Sequence, residues 1–130
     1  MEFLQHYVVT AVIFIVIDAV WLSVIASKFY KKQLGSLLAK KPNFVAAAAF
    51  YALYIIAILV FALNPALDQG SLGYATGHAA LLGLTMYATY DLTNHSTLKN
   101  WPAIVTFVDM AWGTFVTTLV TVCAYGILNY

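Results

Sequence analysis

FLQHYVVTAVIFIVIDAVWLSVIA, residues Phe3–Ala26, contains one formally charged side chain, Asp18, in an otherwise apolar or neutral run. A helix rises about 1.5 Å per residue and the hydrocarbon core of a bilayer is about 30 Å thick, so about 20 such residues span it. The apolar residues do not alternate with polar ones, which argues for a helix over a barrel strand. Three more stretches have this character: Asn43–Leu63, Ser71–Asn94 and Ala103–Leu128. Gly35 and Lys40–Asn43, Asn64-Pro65 through Gly70, and His95–Pro102 break the pattern between them. The expectation is all-α: a four-transmembrane-helix bundle forming a single integral membrane domain over residues 1–130.

Composition supports this reading. Of 130 residues, 63% are hydrophobic and 8% charged, against about 25% charged in soluble domains. Such a chain lacks the polar surface of a soluble enzyme or a disordered segment. A net charge of +1 offers no field for a polyanion, so nucleic acid is not an expected partner. Cys123 is the single cysteine, which excludes an internal disulfide or a Cys-based metal motif. The N-terminus lacks the basic region of a cleavable signal, and its apolar run is too long for one.

Lysine placement orients the spans. Lys28, Lys31, Lys32, Lys40 and Lys41 lie between the first two, and Lys99 lies between the last two. Lysine-rich loops stay on the cytoplasmic side, so loops 27–42 and 95–102 are expected there, with both termini outside. Tyr7, Phe29, Tyr30, Trp101, Tyr125 and Tyr130 are placed to anchor at the interfaces.

Three of the five acidic residues fall inside spans: Asp18, Asp91 and Asp109. Allowing for alternating helix direction, all three lie in the cytoplasmic half, with Asp18 and Asp109 about 10–15 Å deep. A charged Asp at a span centre costs about 2.5–3.5 kcal/mol on insertion scales, so it faces the bundle interior. No span contains a Lys or Arg to pair with these acids. Protonation, hydrogen-bond donors or a bound cation must neutralise them, and two adjacent carboxylates cannot both ionise cheaply.

The neighbours repeat. Val16-Ile17-Asp18-Ala19-Val20-Trp21 parallels Phe107-Val108-Asp109-Met110-Ala111-Trp112, each placing Asp and Trp on one helix face. Tyr51 and Tyr54 lie at similar depth as hydroxyl donors, and the Trp21 and Trp112 indoles are further donors. Asn94 follows Asp91 closely enough to bind its carboxyl. On span three, Gly73, Gly77, Ala80, Leu84, Tyr87 and Asp91 form a stripe expected to let another helix approach. His78, with Leu82, Thr85 and Thr89, marks a second line. Taken alone, His78 reads as a core histidine with satisfied hydrogen bonds; beside the acids it would extend a polar pathway.

The segments Asp18-x-x-Trp21-Leu22, Phe50-Tyr51-Ala52-Leu53-Tyr54, Tyr87-Ala88-Thr89-Tyr90-Asp91-Leu92-Thr93-Asn94 and Asp109-x-x-Trp112-Gly113 resemble a family of small bacterial predicted membrane proteins, domain of unknown function 2177. The resemblance covers nearly the whole chain, and Tyr-Asp-Leu-Thr-Asn is its most specific part. It implies a multi-pass protein of the bacterial cytoplasmic membrane with four spans, and it implies no activity.

Three function classes fit. The first is a proton- or cation-coupled transporter or binder of a small or lipophilic solute. Asp18, Asp91 and Asp109 would take the proton or ion, Trp21 and Trp112 would line the site, and a homo-oligomer would complete the pathway. The second is an integral-membrane enzyme acting on a lipid or other apolar substrate, with the same three acids holding a divalent cation or acting as acid and base. His6, His78 and His95 are too far apart for a paired-histidine site. The third is a structural, lipid-binding or pigment-binding scaffold, since 15% of the residues are aromatic. Membrane lipids are partners in all three.

Overall fold

The computed structural model describes residues 2–129, so the anchoring expectation for Tyr130 lies outside the described residues. The architecture is all-helical. Helix α1 (Glu2–Trp21) widens into a π-helical turn at Leu22–Ala26 and continues as α2 (Ser27–Leu34). It stops at Gly35, whose φ of +49° is in the left-handed region that glycine enters without strain. The segment after Ala26, expected as part of a loop, is therefore largely helix. Ser27–Leu34 contains neither Gly nor Pro to end it, and its Lys, Gln and Leu residues are good helix formers.

The second rod begins where the Asn43 side chain accepts a 3.0 Å hydrogen bond from the Ala46 amide, a standard N-cap. Helix α3 (Phe44–Ile58) runs into a second π-helical turn, Leu59–Leu63, and then α4 (Asn64–Gln69). Asn64-Pro65 was expected to break the chain. Instead Pro65 occupies the first turn of α4, where its missing N–H is tolerated. The wide turn just before it accommodates a ring that an uninterrupted α-helix would reject. Gly70, left-handed at φ +63°, makes the real break.

Ser71 then caps α5 (Leu72–Thr97) by accepting from the Tyr74 amide at 3.0 Å. Asn100 takes a positive φ of 61° in the turn, and α6 (Ala103–Leu128) follows Pro102. Cross-contacts give the directions. His6 meets Asn64 while Asp18 meets Tyr51, and Gly83 meets Gly113 while Asp91 meets Asp109. Successive rods are antiparallel.

Helix α6 is the central one, packing on α1, α4, α5 and the Leu59–Leu63 turn. Its buried face runs Val105, Thr106, Asp109, Gly113, Val116, Thr117, Val120, Thr121 and Ala124, at helical spacing. Tyr125, read as an interfacial anchor, is buried at 7% exposure in this core.

The α5–α6 contact is the largest in the structure, and glycine makes it close. A Cβ on Gly83 would collide with the Gly113 carbonyl and Thr117, and one on Gly113 would strike the Tyr87 ring. Gly73 and Gly77, expected to serve this purpose, face open space, apart from the Ser71 hydroxyl near Gly73. The small residues that α5 buries are Ala75, Ala79 and Gly83.

Val8, Val12, Ile15, Val16, Val20 and Val24 lie exposed along the first rod, an apolar face suited to lipid and not to water. Among the described residues, Glu2–Leu37, Phe44–Gln69 and Ala103–Leu128 are long and apolar enough to cross a membrane. Helix α5 has the length, at 26 residues. It falls short of their apolarity because Gly, Thr and His replace branched aliphatics.

Candidate functional site

The three acids come to the bundle interior from three rods, but not to one point. Asp91 is fully buried, Asp109 is 5% exposed and Asp18 is 8% exposed. Asp91 on α5 faces Asp109 on α6. Neither Asp91 oxygen has a hydroxyl, amide or indole donor. Asp109 receives a hydrogen bond from the Tyr30 hydroxyl on α2. Asp18 stands apart, receiving a 2.9 Å hydrogen bond from the Tyr51 hydroxyl.

Among the described residues, no group of three or more His, Cys, Asp or Glu is close enough to hold a metal. The divalent-cation site expected from Asp18, Asp91 and Asp109 together is therefore not formed. The reason is register. Asp18 sits level with Trp112, one turn of α6 away from Asp109, and Tyr51 engages it there.

The two Asp-x-x-Trp motifs do meet. Trp21 and Trp112 stack face to face with centroids 4.2 Å apart and planes at 9°. Together they form a flat aromatic plate beside Asp18. Trp112 Nε1 points toward Asp18 without reaching hydrogen-bond geometry and has no other partner. Tyr54 was also expected to serve an acid, yet its hydroxyl pairs with Thr117 Oγ1 on α6. Asn94 lies by Tyr90, one turn earlier on α5, and not on Asp91.

His78 is neither a core residue nor part of the acid site. It is exposed, its ring stacks on Tyr74 at 3.6 Å, and its Nδ1 is 3.0 Å from the Tyr74 carbonyl. An i to i+4 stack of this kind holds the ring against its own helix, away from the interior.

Two residues take a place in the site that the sequence reading does not give them. Tyr30 was assigned to the interface, but α2 carries it back to Asp109. Tyr87 packs its ring on Gly113 and stands edge-on to Tyr54, with centroids 6.5 Å apart. Tyr87 and Asp91 do share the stripe read from the sequence, but the buried members above them are Ala75, Ala79 and Gly83, spaced every four residues along one face of α5.

Beside the acid pair, a cleft of about 330 Å³ is lined by Phe50, Met86, Tyr87, Tyr90 and Asp109. A larger cavity of about 440 Å³ lies at the opposite end of the bundle, among Glu2, His6, Asn64, Asp68 and Asn129. Between the pair and the loop that joins α5 to α6, Trp101 Nε1 donates to Thr106 Oγ1 at 3.0 Å. Thr106 in turn is 3.2 Å from His95 Nδ1.

Chemically, two adjacent buried carboxyls with one outside donor can share a proton, since a second negative charge there would have nothing to offset it. No curated protein and no solved structure matches the chain. The family model described as "Predicted membrane protein (DUF2177)" matches residues 3–126, and the chain belongs to that family.

Proposed function

We propose that this membrane protein takes up and releases a proton at the Asp91–Asp109 pair and couples that exchange to binding or passage of a small or lipophilic solute. The observation that carries the reading is the pair itself: two buried carboxyls face each other in a chain whose six basic residues all lie within segments 27–42 and 95–102. A structural contact between α5 and α6 would be made at lower cost by neutral amides or small residues. Retaining two acids suits a site whose charge changes.

In this reading Asp18, with Tyr51 and the Trp21–Trp112 plate, forms a neighbouring polar step. The lysine distribution supports termini outside, and a bacterial cytoplasmic membrane location is proposed from the family resemblance. Four helices are few to enclose a pathway, so a homo-oligomer is proposed. The exposed Gly73, Gly77, Thr85 and Thr89 of α5 are small enough for close helix approach.

Infrared difference spectroscopy of the protein in lipid, titrated through neutral pH, tests the proposal. A carboxylic-acid carbonyl band is expected to convert to carboxylate in wild type and to be lost or displaced in both Asp91→Asn and Asp109→Asn. Identical titrations in all three proteins would overturn it.

A further inference from the structure

We propose that the cleft beside the acid pair is a binding site for a lipophilic organic cation, an ammonium carrying apolar groups, which enters sideways from the membrane. This rests on the proton-exchange reading above and adds the class of solute to it.

The shape comes from the helices. Helix α5 packs on the Leu59–Leu63 turn and its Tyr87 touches the Tyr54 ring edge. Beyond that level α3 and α5 part, and the gap between them is the 330 Å³ cleft. That volume lies within the range of small-ligand sites, about 300–1,000 Å³. Phe50 on α3 and Tyr90 on α5 form its lip, 44% and 58% exposed, so the opening faces outward between two spans and not along the bundle axis. Met86 and Tyr87 line its wall, and Asp109 of α6 lies at the back.

The chemistry comes from charge. The walls offer aromatic faces and a thioether, which attract cations and apolar groups alike. The only carboxyl lining the cleft is Asp109, and behind it stands Asp91, fully buried with no hydroxyl, amide or indole donor. No lysine lines the cleft, so beyond the Tyr30 hydroxyl and the shared proton, positive charge for the pair has to come from outside the chain. An anion would meet like charge, and a neutral apolar molecule would leave the acid unanswered. A cation with apolar substituents satisfies both wall and acid, and it displaces the shared proton because the positive charge takes over its role.

The test uses benzyltrimethylammonium and neopentylbenzene, which have the same shape and differ in charge. Binding is measured calorimetrically in phosphatidylglycerol nanodiscs, with a pH indicator in weak buffer reporting proton release. Expected results are binding of the cation alone, with proton release, and loss of binding in Asp109→Asn. Tyr90→Leu, at the exposed lip where folding is undisturbed, should weaken binding by about three- to tenfold through the lost cation–π contact.

No cation binding, equal binding of the neutral analogue, or full binding in both Tyr90→Leu and Asp109→Asn would overturn the cation site, even if the carboxyl titration persisted. Block of binding by added phosphatidylethanolamine would assign the cleft to a lipid headgroup and overturn it for a free solute. Cation binding without proton release would uphold the cleft and overturn the proton-exchange reading instead.

Discussion

Tyr30 shows how far one hydroxyl reaches. It lies beyond α1 and a wide turn, on α2, and sends its O–H to Asp109 on the neighbouring α6. A hydrogen bond to a charged group contributes about 1.5–3 kcal/mol. Tyr30→Phe is expected to lower unfolding free energy in detergent by about that range. Tyr7→Phe, whose hydroxyl makes only a long 3.4 Å contact to the Ala52 carbonyl, should change it by well under about 1 kcal/mol. Equal losses in the two variants would refute the special place of Tyr30. The acids at 18, 91 and 109 were legible as buried because an aspartate in a span has nowhere else to go. Their pairing was not, since which carboxyl meets which depends on the relative heights of helices that the chain does not state.

At the scale of elements, small residues decide where helices touch. Gly83→Ala places a methyl against the Gly113 carbonyl and Thr117, and overpacking of this kind costs about 1–3 kcal/mol. Gly77→Ala meets nothing within 4 Å in the single chain, and alanine is the better helix former, so in a detergent that holds the chain as a monomer this variant should be as stable as wild type or slightly more so. Thermal unfolding of both in one detergent checks the contrast. A large loss at Gly77 would mean that its face is covered in the assembled protein. The two wide turns, Leu22–Ala26 and Leu59–Leu63, explain the boundaries that pattern reading misplaced. Each holds one residue more than an α-turn, so a helical wheel continued through it is out of phase by about 100°. Tyr30 lies beyond the first such turn, in the segment after Ala26 expected as loop, so it read as an interfacial anchor and not as a neighbour of Asp109.

For the molecule as a whole, the lysine pattern makes a testable statement about topology. In a Cys123→Ala background, Ser36→Cys, exposed just after the first rod, should resist a membrane-impermeant maleimide applied from outside intact cells. Gln69→Cys, exposed at the opposite end of the bundle, should be labelled. Ser71 is a poorer probe because its hydroxyl caps α5. The reverse pattern would invert the orientation and put the acid pair in the outer half of the bilayer. Helix α5 carries the other whole-molecule consequence: it is the least apolar of the four rods, yet it contributes Asp91 and most of the cleft wall.

Membrane residence, four helices and the burial of the acids follow from local properties of the chain, namely run length, hydropathy and the absence of cations within spans. These need no knowledge of neighbours, because the bilayer acts on each segment separately. Helix packing set the rest. Gly83 against Gly113 brings α5 and α6 close enough for Asp91 to face Asp109, and the α6 register leaves Asp18 beside Trp112 and Tyr51. The divergence of α3 from α5 opens the aromatic cleft. Such distances depend on side-chain volumes on two helices at once, and a single strand of letters records each helix without its partner.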